Sequence, residues 1–161
     1  MQQSGEDFKA ANDKSEREIK VLLNGLAEAV QAGELGDISS YYADDIVIFD
    51  MMPPLQFKNK EEYQKVSWQE CFLDYFAFPV EYNFHQQEIS VSADLAVVHG
   101  LVHLNGTSKK DSAVMEAWMR STIVLKKAGD RWAITHEHTS VPLALEDSKG
   151  LMNLAPDKEL Q

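Results

Sequence analysis

A single cysteine, Cys71, stands in the whole chain of 161 residues. One thiol excludes an internal disulfide and any thiolate metal cluster. Its place in an apolar-periodic segment predicts a buried structural thiol rather than a nucleophile. Cations are scarce as well, with 15 basic residues against 26 acidic ones and a formal net charge of −11. No basic run exceeds the pairs Lys109-Lys110 and Lys126-Lys127. Nucleic acid and anionic membrane surfaces both require clustered Lys and Arg, so neither is an expected partner. Long apolar runs are missing too, and none approaches the ~20 residues of a membrane-spanning helix. The polar start, Met1 to Lys14, lacks the apolar stretch of a signal peptide, so a cytoplasmic location is expected. There is no phosphate-binding glycine loop, no dinucleotide fingerprint and no Gly-x-Ser-x-Gly elbow. No cofactor is expected.

What remains is a globular composition, 44% hydrophobic and 25% charged, at a length suited to one domain. Residues 1–14 read as a disordered lead-in. Ser15 and Glu18 fit a capping box, and Ile19, Leu22, Leu23, Leu26 and Val30 follow at helical spacing until Gly33. A short second helix is expected over Asp37–Tyr42. Ile46-Val47-Ile48-Phe49 reads as a short buried strand, stopped by Pro53-Pro54. Asn59 and Glu62 form a second capping box that opens a helix to about Tyr75. From Pro79 the pattern turns to strands near 80–92, 94–105, 112–127 and 131–141, with turns at Ala93-Asp94, Asn105-Gly106 and Ala128-Gly129-Asp130. Residues 144–161 read as an arm or short helix. Helices first and long antiparallel strands after them predict an α+β fold, helices covering one face of a curved sheet.

The last strand is the most informative. Side chains alternate along a strand, so Trp132, Ile134, His136, His138 and Ser140 are predicted to share one face. A face that starts apolar and ends in two imidazoles and a hydroxyl suits a pocket wall. A His-x-His pair could also chelate a metal, but hydrogen bonding from the wall is the favoured reading and no metal is expected. Trp118, Arg120 and Thr122 share a face of the preceding strand. If that face is inward, Arg120 is a pocket cation able to pair with Asp50 or a bound acid. Trp68 lies on the third helix. His99 and His103 fall on the less apolar side of their strand and are expected outside, with Glu116 and Glu137 in solvent. The strand 112–127 is apolar on both sides, which predicts a homodimer packed through the outer sheet face.

Four segments carry a resemblance. They are Ala32-Gly33-Glu34-Leu35, the stretch Tyr42 to Asp50, Trp118-Met119-Arg120-Ser121-Thr122, and Trp132 to Ser140. In this order and spacing they resemble the nuclear transport factor 2-like superfamily, nearest its SnoaL-like and ketosteroid isomerase-related branch, over about residues 15–143. The resemblance implies a cone of three N-terminal helices on a strongly curved antiparallel sheet enclosing a pocket. Counting along Ala43-Asp44-Asp45 puts the family's general-base aspartate on Asp50. The helix-1 tyrosine of the isomerases falls on Leu26, which departs from their pattern. The implied function is a small-molecule pocket, as a cofactor-independent isomerase, cyclase or dehydratase acting on a small carbonyl or hydroxyl compound. Asp50 and His138 would be catalytic, with Trp68, Trp118, Arg120 and His136 binding the ligand. The competing expectation is a non-catalytic binding or oligomerisation module, like the kinase association domains that share the fold.

Overall fold

The computed structural model describes residues 2–156. Helix α1 (Gln2–Ala32) is followed by α2 (Leu35–Ser40) and strand β1 (Tyr42–Phe49). Helix α3 (Lys60–Tyr63) runs on without a break as a π-helix (Gln64–Leu73). Four long strands complete the domain: β2 (Phe76–Ser92), β3 (Leu95–Ser108), β4 (Val114–Ala128) and β5 (Arg131–Ser140). They form a five-stranded sheet in the order β1-β5-β4-β3-β2. No helix among the described residues is long and apolar enough to cross a membrane.

Helix α1 buries Ile19, Leu23, Leu26, Ala27 and Val30, one stripe at helical spacing. That stripe lies against β2, and the Glu18 carboxylate accepts from Lys127 Nζ at 3.0 Å and Trp132 Nε1 at 3.1 Å. The expected lead-in is corrected: residues from Gln2 to Lys14 continue α1. They contain no proline and many strong helix formers, which lets the helix grow backwards from its buried half. Ser15 is therefore a buried mid-helix residue, not a cap. Asn59 does cap α3, accepting from Glu62 N–H at 2.7 Å. Past β5, residues Leu143 and Gly150 form an isolated bridge and no helix follows to residue 156. Residues 157–161 of the expected arm lie outside the described part of the chain.

The sheet is mixed, whereas a purely antiparallel one was expected, because β1 pairs with β5 in parallel. β1 is also not buried on both sides: Ile46 and Ile48 point into the core, while Val47 and Phe49 are partly exposed on the outer face.

Two bulges control which side chains face inward. In β2, His85 pairs with Leu101 and Glu88 with His99, so β2 carries one extra residue there, and Gln86 has φ 51°. The bulge fits because its neighbour across the ladder is Gly100. A Cβ at that position would stand 2.8 Å from the His85 carbonyl oxygen. Gly100→Ala is therefore expected to cost about 1–3 kcal/mol, because a backbone atom must give way. Urea unfolding reads this directly, and a variant as stable as the parent would mean the bulge relaxes freely. In β5, Ile134 pairs with Leu125 and His136 with Val124, leaving Thr135 as an extra residue. A bulge of this kind shifts the alternation by one. Trp132 and Ile134 are buried before it, and Glu137 after it.

Candidate functional site

Beyond the β5 bulge, Glu137 and Thr139 line a cavity of ≈ 200 Å³ between the inner sheet face and the π-helix. Asp50, Met51 and Met52 enter it from the end of β1. Tyr63 comes from α3, and Ser67, Trp68, Cys71 and Phe72 from the π-helix. The sheet adds Phe76 and Tyr82 from β2, Leu104 from β3, Met115 and Met119 from β4, and Glu137 and Thr139 from β5. Met52 and Tyr75 also line it and are themselves exposed, marking where it meets solvent. A π-helix turns one more residue into each hydrogen-bonded ring, a geometry frequent at functional sites. Here it supplies four neighbouring side chains to one wall.

The cavity holds two carboxylates. Asp50 is half-buried. Its Oδ2 accepts a short hydrogen bond from the Ser67 hydroxyl, and its Oδ1 accepts from the Met52 N–H at 3.3 Å. Glu137 is only 4% exposed, and its Oε2 accepts from the Tyr42 hydroxyl at 2.7 Å. Burial pushes the Glu137 carboxyl up to about 7, opposed by the Tyr42 hydrogen bond and reinforced by the Asp50 charge. A carboxylic acid near neutrality is suited to holding or passing a proton at pH 7. Burial also holds the Tyr42, Tyr63 and Tyr82 phenols well above their usual range, with the Glu137 charge adding to it in all three, so they stay neutral. Cys71 is raised by burial first and by the Asp50 and Glu70 charges after it, which makes it a poor nucleophile. Trp68 is buried, and its indole N–H has no acceptor among the described residues.

The sequence-based set divides in two. Asp50 and Trp68 line the cavity. The other four lie on the opposite sheet face, where the expected orientation is corrected. His136 and His138 follow Thr135, so the bulge turns both outward. His136 Nδ1–H donates to the Val47 carbonyl at 2.6 Å, and both rings meet Phe49 edge-on with centroids 4.9 and 5.7 Å away. Trp118 and Arg120 alternate with Ala117, Met119 and Ser121, and it is the latter three that are buried. Trp118 stacks on His103 at 4.6 Å, and Arg120 is exposed beside Glu88 and His99. Leu26 is a core residue of α1.

Glu137 was missed by the sequence reading, which put it in solvent. The strict alternation that carried the histidines inward carried Glu137 outward. One extra residue reversed both. Nothing in Ala133-Ile134-Thr135-His136 marks a bulge, since no glycine occupies it. Tyr42, which holds Glu137, was likewise hidden at the start of an edge strand.

The fold recurs among known proteins. A family model described as a SnoaL-like domain matches residues 19–144. The chain belongs to the SnoaL-like domain family. Among solved structures, an NTF2-like protein of unknown function from Pseudomonas putida KT2440 is 33% identical, with a TM-score of 0.78 over 89% of this chain and 98% of its own. A ketosteroid isomerase-like protein from Erwinia carotovora atroseptica is 22% identical, with a TM-score of 0.65 over 77% of this chain and 93% of its own. A hexachlorocyclohexane dehydrochlorinase matches at 14% identity, with a TM-score of 0.71 over 93% of this chain and 99% of its own. The last two share the fold. No curated protein matches. The SnoaL-like chain thus sits in the nuclear transport factor 2-like superfamily on sequence and structure together.

Proposed function

We propose that this SnoaL-like protein is a cofactor-independent enzyme of the isomerase, cyclase or lyase kind, with Asp50 moving a proton on a small carbonyl or hydroxyl compound. The observation that carries it is Asp50 on the wall of an apolar cavity, held by Ser67 and the Met52 N–H with no cation in salt-bridge contact among the described residues. An Arg or Lys paired to a carboxylate lowers its basicity. The apolar walls then exclude water from the proton-transfer step. A proton removed next to a carbonyl moves to Asp50, the electron pair shifts onto the carbonyl oxygen, and Asp50 returns the proton at the same or a conjugated carbon. The ring-sized cavity suits a substrate of one or two rings.

The test is solvent deuterium uptake into small aryl ketones, acetophenone and 2-tetralone, followed by NMR. The wild type should exchange their α-protons. Asp50→Asn, which keeps the shape and removes the charge, should lower that rate at least ~100-fold while leaving the melting temperature within a few degrees. Removing the Asp50 charge also relieves Glu137, so its titration should move down from about 7. If Asp50→Asn instead loses several kcal/mol of stability, a loss diagnostic of a structural network, Asp50 belongs to the scaffold and the catalytic reading falls.

A further inference from the structure

The charge pattern of the cavity is one-sided. Its lining holds Asp50 and Glu137 but no Lys, Arg or His. Neither carboxylate is in salt-bridge contact with a described cation. The titratable groups facing Glu137 are Tyr42 from β1, Asp50 beyond it, Tyr63 from α3, Cys71 from the π-helix and Tyr82 from β2, none of them a cation. Buried charges in proteins are paired. This one meets a single hydroxyl from Tyr42, faces a second carboxylate, and is surrounded by ring faces. Neutral aromatic rings attract a cation, most strongly when it is desolvated. Aromatic side chains line the cavity on both sides: Tyr63, Trp68 and Phe72 from the helices, Phe76 and Tyr82 from the sheet. One polar demand has the other sign. The Trp68 indole N–H is a buried donor without an acceptor, and an unsatisfied buried donor costs stability.

We propose that the natural ligand is a small apolar compound bearing a protonated amine and a hydroxyl or carbonyl oxygen, the amine pairing with Glu137 and the oxygen accepting from Trp68. This rests on the cavity being the ligand site and names the ligand's chemical class. The ammonium is the counter-ion that the fold omits. Its approach favours ionised Glu137 and offsets the burial that otherwise protonates it. Asp50, nearer solvent and held by Ser67, stays available for proton transfer. An anionic ligand would face two carboxylates with no compensating cation and is excluded.

Three probes with one skeleton separate the possibilities: 2-amino-1-phenylethanol, 1-phenylethane-1,2-diol and mandelate. They present an ammonium, a neutral hydroxyl and a carboxylate beside the same benzylic alcohol. Calorimetric titration at about pH 8 should find the amine at least about tenfold tighter than the diol, the margin of a charge-assisted over a neutral hydrogen bond. Mandelate should not bind. Lowering the pH to about 6 protonates Glu137 while the amine keeps its charge, so the amine's advantage should shrink. Glu137→Gln should erase that advantage and leave the diol within about threefold. A diol that equals or exceeds the amine overturns the inference, most clearly if its affinity grows as pH falls, for then Glu137 acts as a donor to neutral ligands. That result leaves the cavity standing as a ligand site. Failure of all three probes, together with no deuterium uptake into the aryl ketones, overturns both the inference and the enzyme reading beneath it.

Discussion

Glu137→Gln is expected to make the protein more stable at pH 8, by about 1–3 kcal/mol. The sign follows from linkage. The Glu137 carboxyl is raised from 4.5 to about 7 in the folded state, so between those values the folded protein binds a proton that the unfolded chain has released. Stability from this group is fully present below about 4.5 and is lost as pH rises through about 7. The difference amounts to about 3 kcal/mol between the two limits. Glutamine keeps an oxygen for the Tyr42 hydroxyl and carries no charge to desolvate. The variant should thus lack this pH dependence, match the wild type within about 1 kcal/mol near pH 5, and exceed it at pH 8. Urea unfolding at the two pH values decides it. A Glu137→Gln protein that is weaker at pH 8 would mean that the carboxylate is well paired when ionised. The expected gain fits the proposed role, because removing a functional group commonly trades activity for stability.

Deleting Thr135 is expected to leave the two faces of β5 as they are. Ile134 already pairs with Leu125 and His136 with Val124, so taking out the extra residue joins two correctly facing segments in a regular ladder. His136 and His138 stay outside and Glu137 stays inside, where the Tyr42 hydroxyl keeps its buried acceptor. The cost is that of straightening the strand, about 1–3 kcal/mol. Urea unfolding at several pH values reads it: the shortened protein should still lose stability as pH rises through about 7. Disappearance of that pH dependence would mean that Glu137 has left the cavity. A Thr135→Val protein separates length from chemistry: it keeps the bulge and loses only the long 3.4 Å contact to the Val124 carbonyl, so it should stay close to the parent.

The same residue explains how far the sequence could be read. Element order, the turns at Ala93-Asp94 and Ala128-Gly129-Asp130 and the amphipathic half of α1 were legible because each depends on local pattern: Ile19, Leu23, Leu26 and Val30 for the helix, Asn59 with Glu62 for the cap. Asn105-Gly106, expected as a turn, instead lies inside β3, paired with Glu116 and Met115, and the chain turns only after Ser108. The family resemblance was legible from four short segments, and it carried Asp50 to a cavity wall. Trp132 and Ile134 were rightly placed inside by alternation. The reading failed where non-local pairing decides the face. Register against β4 inserts Thr135, and that choice depends on Leu125 and Val124 rather than on β5 itself. Arg120 and Trp118 were assigned inward against the local evidence, since Ala117, Met119 and Ile123 form the more apolar side. The N-terminal extension of α1 was missed because its outer residues make no amphipathic pattern that could be counted.

His85, His99, His103, His136 and His138, every imidazole in the chain, line or flank the outer sheet face through their contacts with Trp118, Glu88, Glu116 and Phe49. A midpoint near pH 7 in ligand binding would ordinarily be credited to one of them. In this protein the group that lines the cavity with a carboxyl raised to about 7 is Glu137. The two chemistries differ in heat: carboxyl ionisation is nearly athermal, whereas imidazole ionisation absorbs heat. The temperature coefficient of the midpoint, rather than its position on the pH scale, therefore says which side of the sheet is being observed.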